Sequence, residues 1–596
     1  MCEETPLESC NHSPYRFSSL IFMVLLLCCY MSSNLNIHNF FCSLQPPSCD
    51  EAKETNEDCA IVLELSESDP YFDKKKMLLQ NKGFNPKKRV SLKSSSSPSW
   101  ISATLKVMLQ IARIIHLDEV ELYFCQDDAC SPVEFYSPRN EVEALNSILS
   151  LLDISNSSGK CLQMNVLQEL REAIVSMIRD VRDNNCVKTT ILENQSVDKE
   201  ECLLQWGERN GMRTRLQIAY VEGAGRGSIA REDLNVGDTA LEIPVSIVIS
   251  EELVYTSDMF HILEKIGGIS LETMLLLWSM KERHNCTSKF KIYFDALPKN
   301  FNTGLSFGLD AIMALEGTLL FEEIVQAKQH LCDQYGELFP SLCDDHPDIF
   351  PRELYTWEQF LWACELWYSN SMNVMFPDGK LRTCLIPIAG FLNHSLHPHI
   401  LQYGKVDTTA NSLKFRLSRP CSAGEQCFLS YGHFSSSHLI SFYGFLPQGD
   451  NPYDIIPVDI DATEDDSITS NSTHMVRGTW LSRNHNIFYY GLPLPLLDHL
   501  RRIQSPILQY NTLLQANLEN EMEVLGRLRS IFDCVMKNLG AVDLHDRENT
   551  SWDVRLAVEF KDLQRRIISS ILSSCDTGLK LVKNEWCRCL AEDSRG

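Results

Sequence analysis

What this 596-residue chain lacks narrows its function first. It has no excess of basic charge: 54 Lys and Arg stand against 79 Asp and Glu, a formal charge of −25. A nucleic-acid platform needs a basic face to meet phosphates, so no nucleic-acid partner is expected. The 23 cysteines show no repeated spacing. They are scattered, often beside apolar residues (Cys364, Cys427, Cys534), which excludes a disulfide framework and points to a reduced intracellular protein with buried thiols. Long apolar runs are missing too. Only residues 17–30 are strongly apolar, shorter than the roughly 20 residues of a comfortable membrane span. Glu3, Glu4 and Glu8 precede that run and Arg16 is its one basic neighbour, a poor start for a secretory signal. No membrane role is expected.

What is present is long enough for several domains. Residues 41–100 read as loop-like, with Pro46-Pro47, Lys74 to Lys76 and Ser94 to Ser97, so residues 1–100 are expected to be a disordered or targeting N-terminus. Residues 101–183 read as a helical accessory region: Leu105, Met108, Ile111, Ala112 and Ile115 share one helical face, as do Leu167, Leu170, Ile174, Met177 and Ile178. A polar linker, 184–202, follows. Between Leu271 and Tyr368 the pattern is helical again. There Thr356 with Gln359 forms a capping box ahead of Trp357, Phe360, Leu361, Cys364 and Trp367. After residue 456, Leu518, Met522, Leu525, Leu528, Phe532, Val535 and Leu539 recur at steps of three and four up to Gly540, and Val554 to Ile571 repeats the pattern.

The chemistry concentrates between Leu381 and Phe445. Asn393-His394 follows one apolar run, a second (Cys427 to Leu429) ends on Ser430-Tyr431-Gly432, and Tyr443-Gly444-Phe445 comes next. Asn, His and Tyr at the ends of apolar runs are the composition of a small-molecule pocket. Gly424-Glu425 turns the chain into an expected short strand, Gln426 to Tyr431, while Leu413, Phe415 and Leu417 alternate with polar residues as a half-buried strand. Upstream, Gly223, Gly225 and Gly227 invite a dinucleotide reading, which needs a helix after the glycines. Ser228-Ile229-Ala230 and the Gly237 turn point to strands instead, so a hairpin is expected, with Arg226 as a solvated loop residue. His394, His397 and His399 lie close in sequence, but no Cys, Asp or Glu completes a metal set beside them. His397 and His399 are expected at the surface, and no metal site is assigned. Read singly, Asn393-His394 is a capped turn and Tyr431 a strand-end tyrosine.

Taken in order, Ile386-Pro387, Asn393-His394-Ser395, Gly424-Glu425-Gln426, Leu429 to Gly432 and Tyr443 to Phe445 resemble the SET-domain protein methyltransferases. The likeness is to the branch holding the Rubisco lysine methyltransferases and the actin-histidine methyltransferase. It covers roughly Leu203 to Leu572 and includes Leu204-Gln205-Trp206 with Asn210-Gly211, similar to the opening helix and turn of that branch. The resemblance implies an α+β fold: a SET domain (203–455) of small β-sheets with a knot-like crossing, split by a helical insertion at about 271–368. An all-helical C-terminal domain (456–596) that docks a protein substrate follows. It implies S-adenosyl-L-methionine as cofactor, held by Gly225, Arg226, Gly227, Asn393, His394, Tyr443 and Phe445, with Tyr431 as the catalytic residue. The implied activity is protein-lysine N-methylation of a non-histone protein in the cytoplasm or nucleus, with the chloroplast as the alternative compartment. The alternatives in activity are protein-histidine N-methylation, which His433 does not decide, and a catalytically weak SET-fold binding module. Cys587-Arg588-Cys589 is similar to the start of a zinc-binding tail found after some SET domains, but no third ligand follows, so no zinc is expected.

Two positions depart from the branch. Gly390 stands where an acidic residue is usual and Asn370 where an arginine is usual. Losing a charged partner costs about 1.5–3 kcal/mol per hydrogen bond, roughly one to two orders of magnitude in cofactor affinity.

Overall fold

The computed structural model describes residues 60–91, 97–125, 137–157, 164–183, 189–460, 473–505, 513–540 and 550–593. The apolar run at 17–30 lies outside them.

The first described segment corrects the expectation of a loop-like stretch up to residue 100. β1 (Ala60–Glu64) pairs antiparallel with β2 (Lys87–Ser91), Ala60 facing Ser91 and Glu64 facing Lys87, with α1 (Phe72–Asn81) between them. The alternation of Ile61, Leu63 and Leu65, all buried, supplies the apolar face that the lysines and serines around it obscure. α2 (Pro98–Ile115) starts where the Ser97 hydroxyl accepts from the Trp100 N–H, with Pro98 in the first turn. With α3 (Glu119–Cys125), α4 (Pro138–Ser157) and α5 (Met164–Asp183) it buries Leu105, Met108, Ile111, Leu145, Ile148 and Ile174 in one core. Among the described residues no single helix is long and apolar enough to cross a membrane. The pair α2 and α3, which meets that composition together, is bent by 114°.

The central body begins at α6 (Asp198–Arg209) and turns at Gly211, whose φ is +92°. β3 (Arg213–Thr214) leads into the hairpin of β4 (Leu216–Val221) and β5 (Gly225–Ala230), which pair from Leu216 opposite Ala230 to Val221 opposite Gly225. β6 (Thr239–Pro244) lies between β3 and a later strand. A helical block follows: α7 (Glu251–Tyr255), α8 (Phe260–Ile266), α9 (Leu271–His284), α10 (Lys291–Ala296), α11 (Leu309–Ala314), α12 (Leu319–Asp345) and α13 (Trp357–Asn370). The N-cap half of the expected capping box is present: the Gln359 N–H donates to Thr356 Oγ1 at 3.4 Å, while the Gln359 side-chain oxygen meets Arg283 and His284 instead. β7 (Ser371–Met375) and β8 (Leu381–Leu385) form a second hairpin. β9 (Val406–Asp407) and β10 (Ser412–Arg416) complete a four-stranded sheet in the order β3-β6-β10-β9. Leu413 and Phe415 point into the core and Lys414 away from it, as alternation requires.

After α14 (Ser436–Tyr443) come β11 (Ile455–Asp459), paired with β12 (Thr473–Arg477), then α15 (Leu494–Gln504), α16 (Gln515–Asn538) and α17 (Trp552–Asp593). The region after residue 456, expected to be all-helical, thus opens on a strand pair, whose Ile456, Val458 and Val476 share one core with α16. Leu518, Leu525, Leu528 and Phe532 form the buried stripe of α16, and Gly540 just beyond it takes a φ of +63°. A small separate core joins α17 to the central body: Leu556, Ala557 and Phe560 meet Phe307, Leu315, Leu320 and Ile440.

Candidate active site

Three separated segments cross at one point. Leu429 is flanked by two passes of the same loop, forming parallel bridges with His394 and with Ile400. Its N–H donates to the Asn393 carbonyl at 2.8 Å, and the Ser430 N–H donates to the Ile400 carbonyl at 3.1 Å. The stretch expected as a strand, Gln426 to Tyr431, is not a regular strand. Its residues pair singly with different neighbours, because Ile229 bridges Gln426 on one side while the 393–400 loop takes Leu429. The β4–β5 hairpin closes the crossing. Asn393 Nδ2 donates to the Arg226 carbonyl at 3.0 Å, and the Cys427 N–H donates to the Ser228 carbonyl at 2.8 Å.

The hairpin glycines differ in reason. Gly225 has a φ of +68° and open space around it, so it serves conformation. A Cβ on Gly227 would sit 2.3 Å from Gln426 Nε2 and 3.2 Å from Asn393 Nδ2, so that glycine serves close approach. Arg226 is not a solvated loop residue. Its guanidinium pairs with Glu200 at 2.6 Å, donates to the Ala296 carbonyl and lies 5.0 Å from the Phe391 ring centre.

Tyr431 sits at the crossing. Its N–H donates to His394 Nδ1 at 3.1 Å and its hydroxyl to the Leu392 carbonyl at 3.1 Å. Its ring stacks on Tyr443 at 4.8 Å and lies 5.3 Å from the His394 ring. Burial raises the Tyr431 pKa well above that of a free phenol, so the hydroxyl keeps its proton. Burial also pushes His394 down to about 4, so the imidazole is neutral and its Nδ1 is free to accept. Phe445 stands 6.2 Å from His394. Gly444 between the two aromatics has a φ of +74°, and a Cβ there would meet the Asn302 carbonyl at 1.5 Å. That turn is thus pressed directly against the helical block.

Tyr403, which sequence reasoning missed, donates from its hydroxyl to the Ser430 carbonyl at 3.0 Å and stacks on Phe415 at 5.7 Å. Burial pushes its pKa up to about 12. No local pattern marks it, since a lone tyrosine in a polar loop carries no period.

His399 corrects a further expectation: it is fully buried (0% exposed), not a surface residue. The fold brings Cys421 and Cys427 to it, their ligand atoms all within 4.8 Å of one another. Hydrogen bonds occupy both ring nitrogens. Nδ1 accepts from the Phe428 N–H at 3.0 Å, which leaves the ring proton on Nε2, 3.2 Å from Glu425 Oε1. A hydrogen bond with Cys427, then burial, raises the Cys421 pKa far above that of a free thiol. A metal-bound histidine donates through its other nitrogen, whereas here a backbone N–H points at that nitrogen.

Gly390 and Asn370, far apart in sequence, are neighbours in space. A Cβ on Gly390 would lie 2.8 Å from Asn370 Oδ1. Two positions before Gly390, Ile388 holds a φ of +76°, an outlier for a β-branched residue.

The chain matches no protein-family model. The actin-histidine N-methyltransferase of Gallus gallus is 22% identical over 347 residues, 56% of this chain and 55% of that protein. The chloroplastic fructose-bisphosphate aldolase-lysine N-methyltransferase of Arabidopsis thaliana is 24% identical over 229 residues, 37% of this chain and 46% of that one. The chloroplastic Rubisco large-subunit N-methyltransferase of Nicotiana tabacum is 23% identical over 274 residues, 44% and 54% of the two chains. The chain spans about half the length of the curated relatives it matches. Among solved structures, the SET domain of LSMT bound to lysine and AdoHcy superposes with a TM-score of 0.50 at 18% identity, over 65% of this chain and 94% of that one. Rubisco LSMT bound to sinefungin and monomethyllysine gives a TM-score of 0.50 at 17% identity, with the same coverage. The fold of the covered part is that of the SET domain.

Proposed function

We propose that this chain is an S-adenosylmethionine-dependent protein N-methyltransferase that modifies a lysine side chain of a non-histone protein. One observation carries the reading: the Tyr431 hydroxyl and the Leu392 carbonyl meet at the crossing that also joins Asn393 to the glycine hairpin. Two features there support a place for the cofactor. Gly227 lets Gln426 and Asn393 approach the hairpin backbone closely, and Gln426 Nε2 is a buried donor with no hydrogen-bond partner among the described residues. The cofactor would supply an electrophilic methyl group on a sulfonium. Backbone at Gly225 and Gly227, with Asn393, His394, Tyr443 and Phe445, would hold it, while Arg226 fixes the hairpin through Glu200.

A lysine amine is protonated in water, with a pKa near 10.4. Aromatic surroundings of Tyr431, Tyr443 and neutral His394 withdraw water and depress that pKa, so the proton leaves to solvent before transfer. The Tyr431 hydroxyl, itself protonated, then orients the neutral amine as a hydrogen-bonding group rather than as a base. In this reading the helices between 271 and 368 are an insertion into the SET fold, and those after 456 dock the substrate.

Transfer to a histidine ring is the second reading, supported by the named activity of the Gallus gallus relative. Gly390 against Asn370 supports a third, a weakly catalytic binding module. In this reading the chain works in the cytoplasm or nucleus, and the chloroplastic relatives support a plastid as the alternative.

A labelled-methyl assay on cell extract tests the activity. Wild type is expected to label protein and Tyr431→Phe to label about a hundredfold more slowly. Acid hydrolysis of the labelled protein separates methyl-lysine from methylhistidine. Calorimetry with S-adenosylmethionine tests the site: micromolar binding abolished by Asn393→Ala supports the enzyme, and no heat at millimolar cofactor sinks it.

A further inference from the structure

We propose that Asp118 and Arg139, in the N-terminal helical unit, are positioning residues for the loop that carries Tyr431. The inference rests on reading Tyr431 as a residue of the reacting site. From Gly432 to Ser436 the chain runs between Tyr431 and α14, and a neighbouring turn grips it twice. Asn451 Nδ2 donates to the Phe434 carbonyl at 2.9 Å, and Asp454 accepts from the Ser436 N–H at 2.6 Å and from its hydroxyl at 2.8 Å. Between those two gripping residues sits Tyr453. Its ring stacks on His433 at 5.3 Å and 7°.

The grip is anchored in the N-terminal unit. The Tyr453 hydroxyl donates to Asp118 Oδ2 at 2.7 Å and accepts from Arg139 Nε at 3.1 Å. Asp118 Oδ2 also lies 3.3 Å from His433 Nδ1. Arg139 is in turn held by Glu121 at 2.6 Å and by Glu143. Tyr453, Arg139 and Glu121 are buried, and the Asp118 and Glu143 side chains are only 11% and 12% exposed, whereas the His433 side chain remains 31% exposed. Buried ions are a weak source of stability, because desolvation offsets their attraction. What directional, charge-assisted bonds supply is geometry. Here that geometry is the path of the chain two residues beyond Tyr431, at His433.

Hydrogen exchange on the full-length chain tests this without relying on turnover. Two amides report: Tyr431, bonded to His394, and Ser436, bonded to Asp454. In Asp118→Asn both are expected to exchange about tenfold faster, with α13 and α16 unchanged. Unaltered exchange at both amides in a folded variant overturns the proposal, and so does a uniform loss of protection across the chain. If Asp118→Asn does not fold, Tyr453→Phe decides by the same criterion, since it removes only the bridging hydroxyl and keeps the stack. Kinetics add a split: kcat falls about tenfold while the Kd for S-adenosylmethionine stays unchanged. A wild type that neither binds the cofactor nor transfers methyl sinks the enzymatic reading and leaves the exchange result to judge the positioning role.

Discussion

Arg139 is buried at one seam of this molecule and Phe560 at another, and the two seams obey different physics. At the first, the N-terminal unit meets the central body through Asp118, Glu121, Arg139 and Tyr453, a set of directional bonds among charged groups. At the second, Leu556, Ala557 and Phe560 of α17 meet Phe307 and Ile440, contacts with no preferred angle, flanked by a Gly308 N–H bond to Asp553 and an exposed Arg566–Asp450 pair. Apolar burial scales with area and tolerates small shifts. Charged hydrogen bonds weaken steeply with angle. The apolar seam therefore bears on whether α17 stays docked, and the polar seam on where the Tyr431 loop lies.

Breaking the apolar seam should give the largest loss. Phe560→Ala is expected to cost about 3–5 kcal/mol, read as a lower denaturation midpoint, while Tyr431 keeps its bond to His394. Gly444→Ala attacks the contact between the aromatic turn and Asn302. With a positive φ and no room for a Cβ, it should cost about 3 kcal/mol and reduce methyl transfer as well as stability, checked by denaturation and by the labelling assay. Smaller, and of the other kind, is Tyr453→Phe at the polar seam: about 1 kcal/mol in stability, with the effect on exchange at Tyr431 exceeding the effect on the denaturation midpoint.

The effect that is absent near neutral pH, and appears only in acid, concerns His438. His438 is buried among the Phe434, Phe442 and Tyr443 rings, and burial holds its pKa at about 3, below the roughly 6.5 of an unfolded histidine. The folded state thus prefers the neutral ring, and that contribution is complete above pH ~6.5 and lost as pH falls toward 3. His438→Leu should make the acid limb of the stability profile shallower by about 1.4 kcal/mol per pH unit, one proton's worth. An unchanged slope would mean the ring does not titrate on unfolding.

Legibility followed the range of each signal. The Thr356 cap, the stripe on α16 and the glycine hairpin are set by residues within a few positions of each other, and each appears where its pattern predicts. The region 60–91 departs from the expected loop because Lys74 to Lys76, which lie on α1, and the basic residues of β2 mask the alternation of Ile61, Leu63 and Leu65. The gap between His399 and its cysteines hid their meeting, since nothing in the 397–399 stretch announces burial. Arg226 looks like a loop residue until Glu200 and the Ala296 carbonyl arrive from other elements.

By itself the sequence determined the longer helices, the glycine hairpin at 216–230, the turns that need glycine and the order of the motifs around Asn393 and Tyr431. Only the tertiary structure decided which of them touch. His394 and Tyr431 are separated by 37 positions, and Asp118 and Tyr453 by 335. Side-chain periodicity tells which face of an element is apolar, and it decays within a turn or two. Which distant faces pack together depends on the shape and burial of the whole chain.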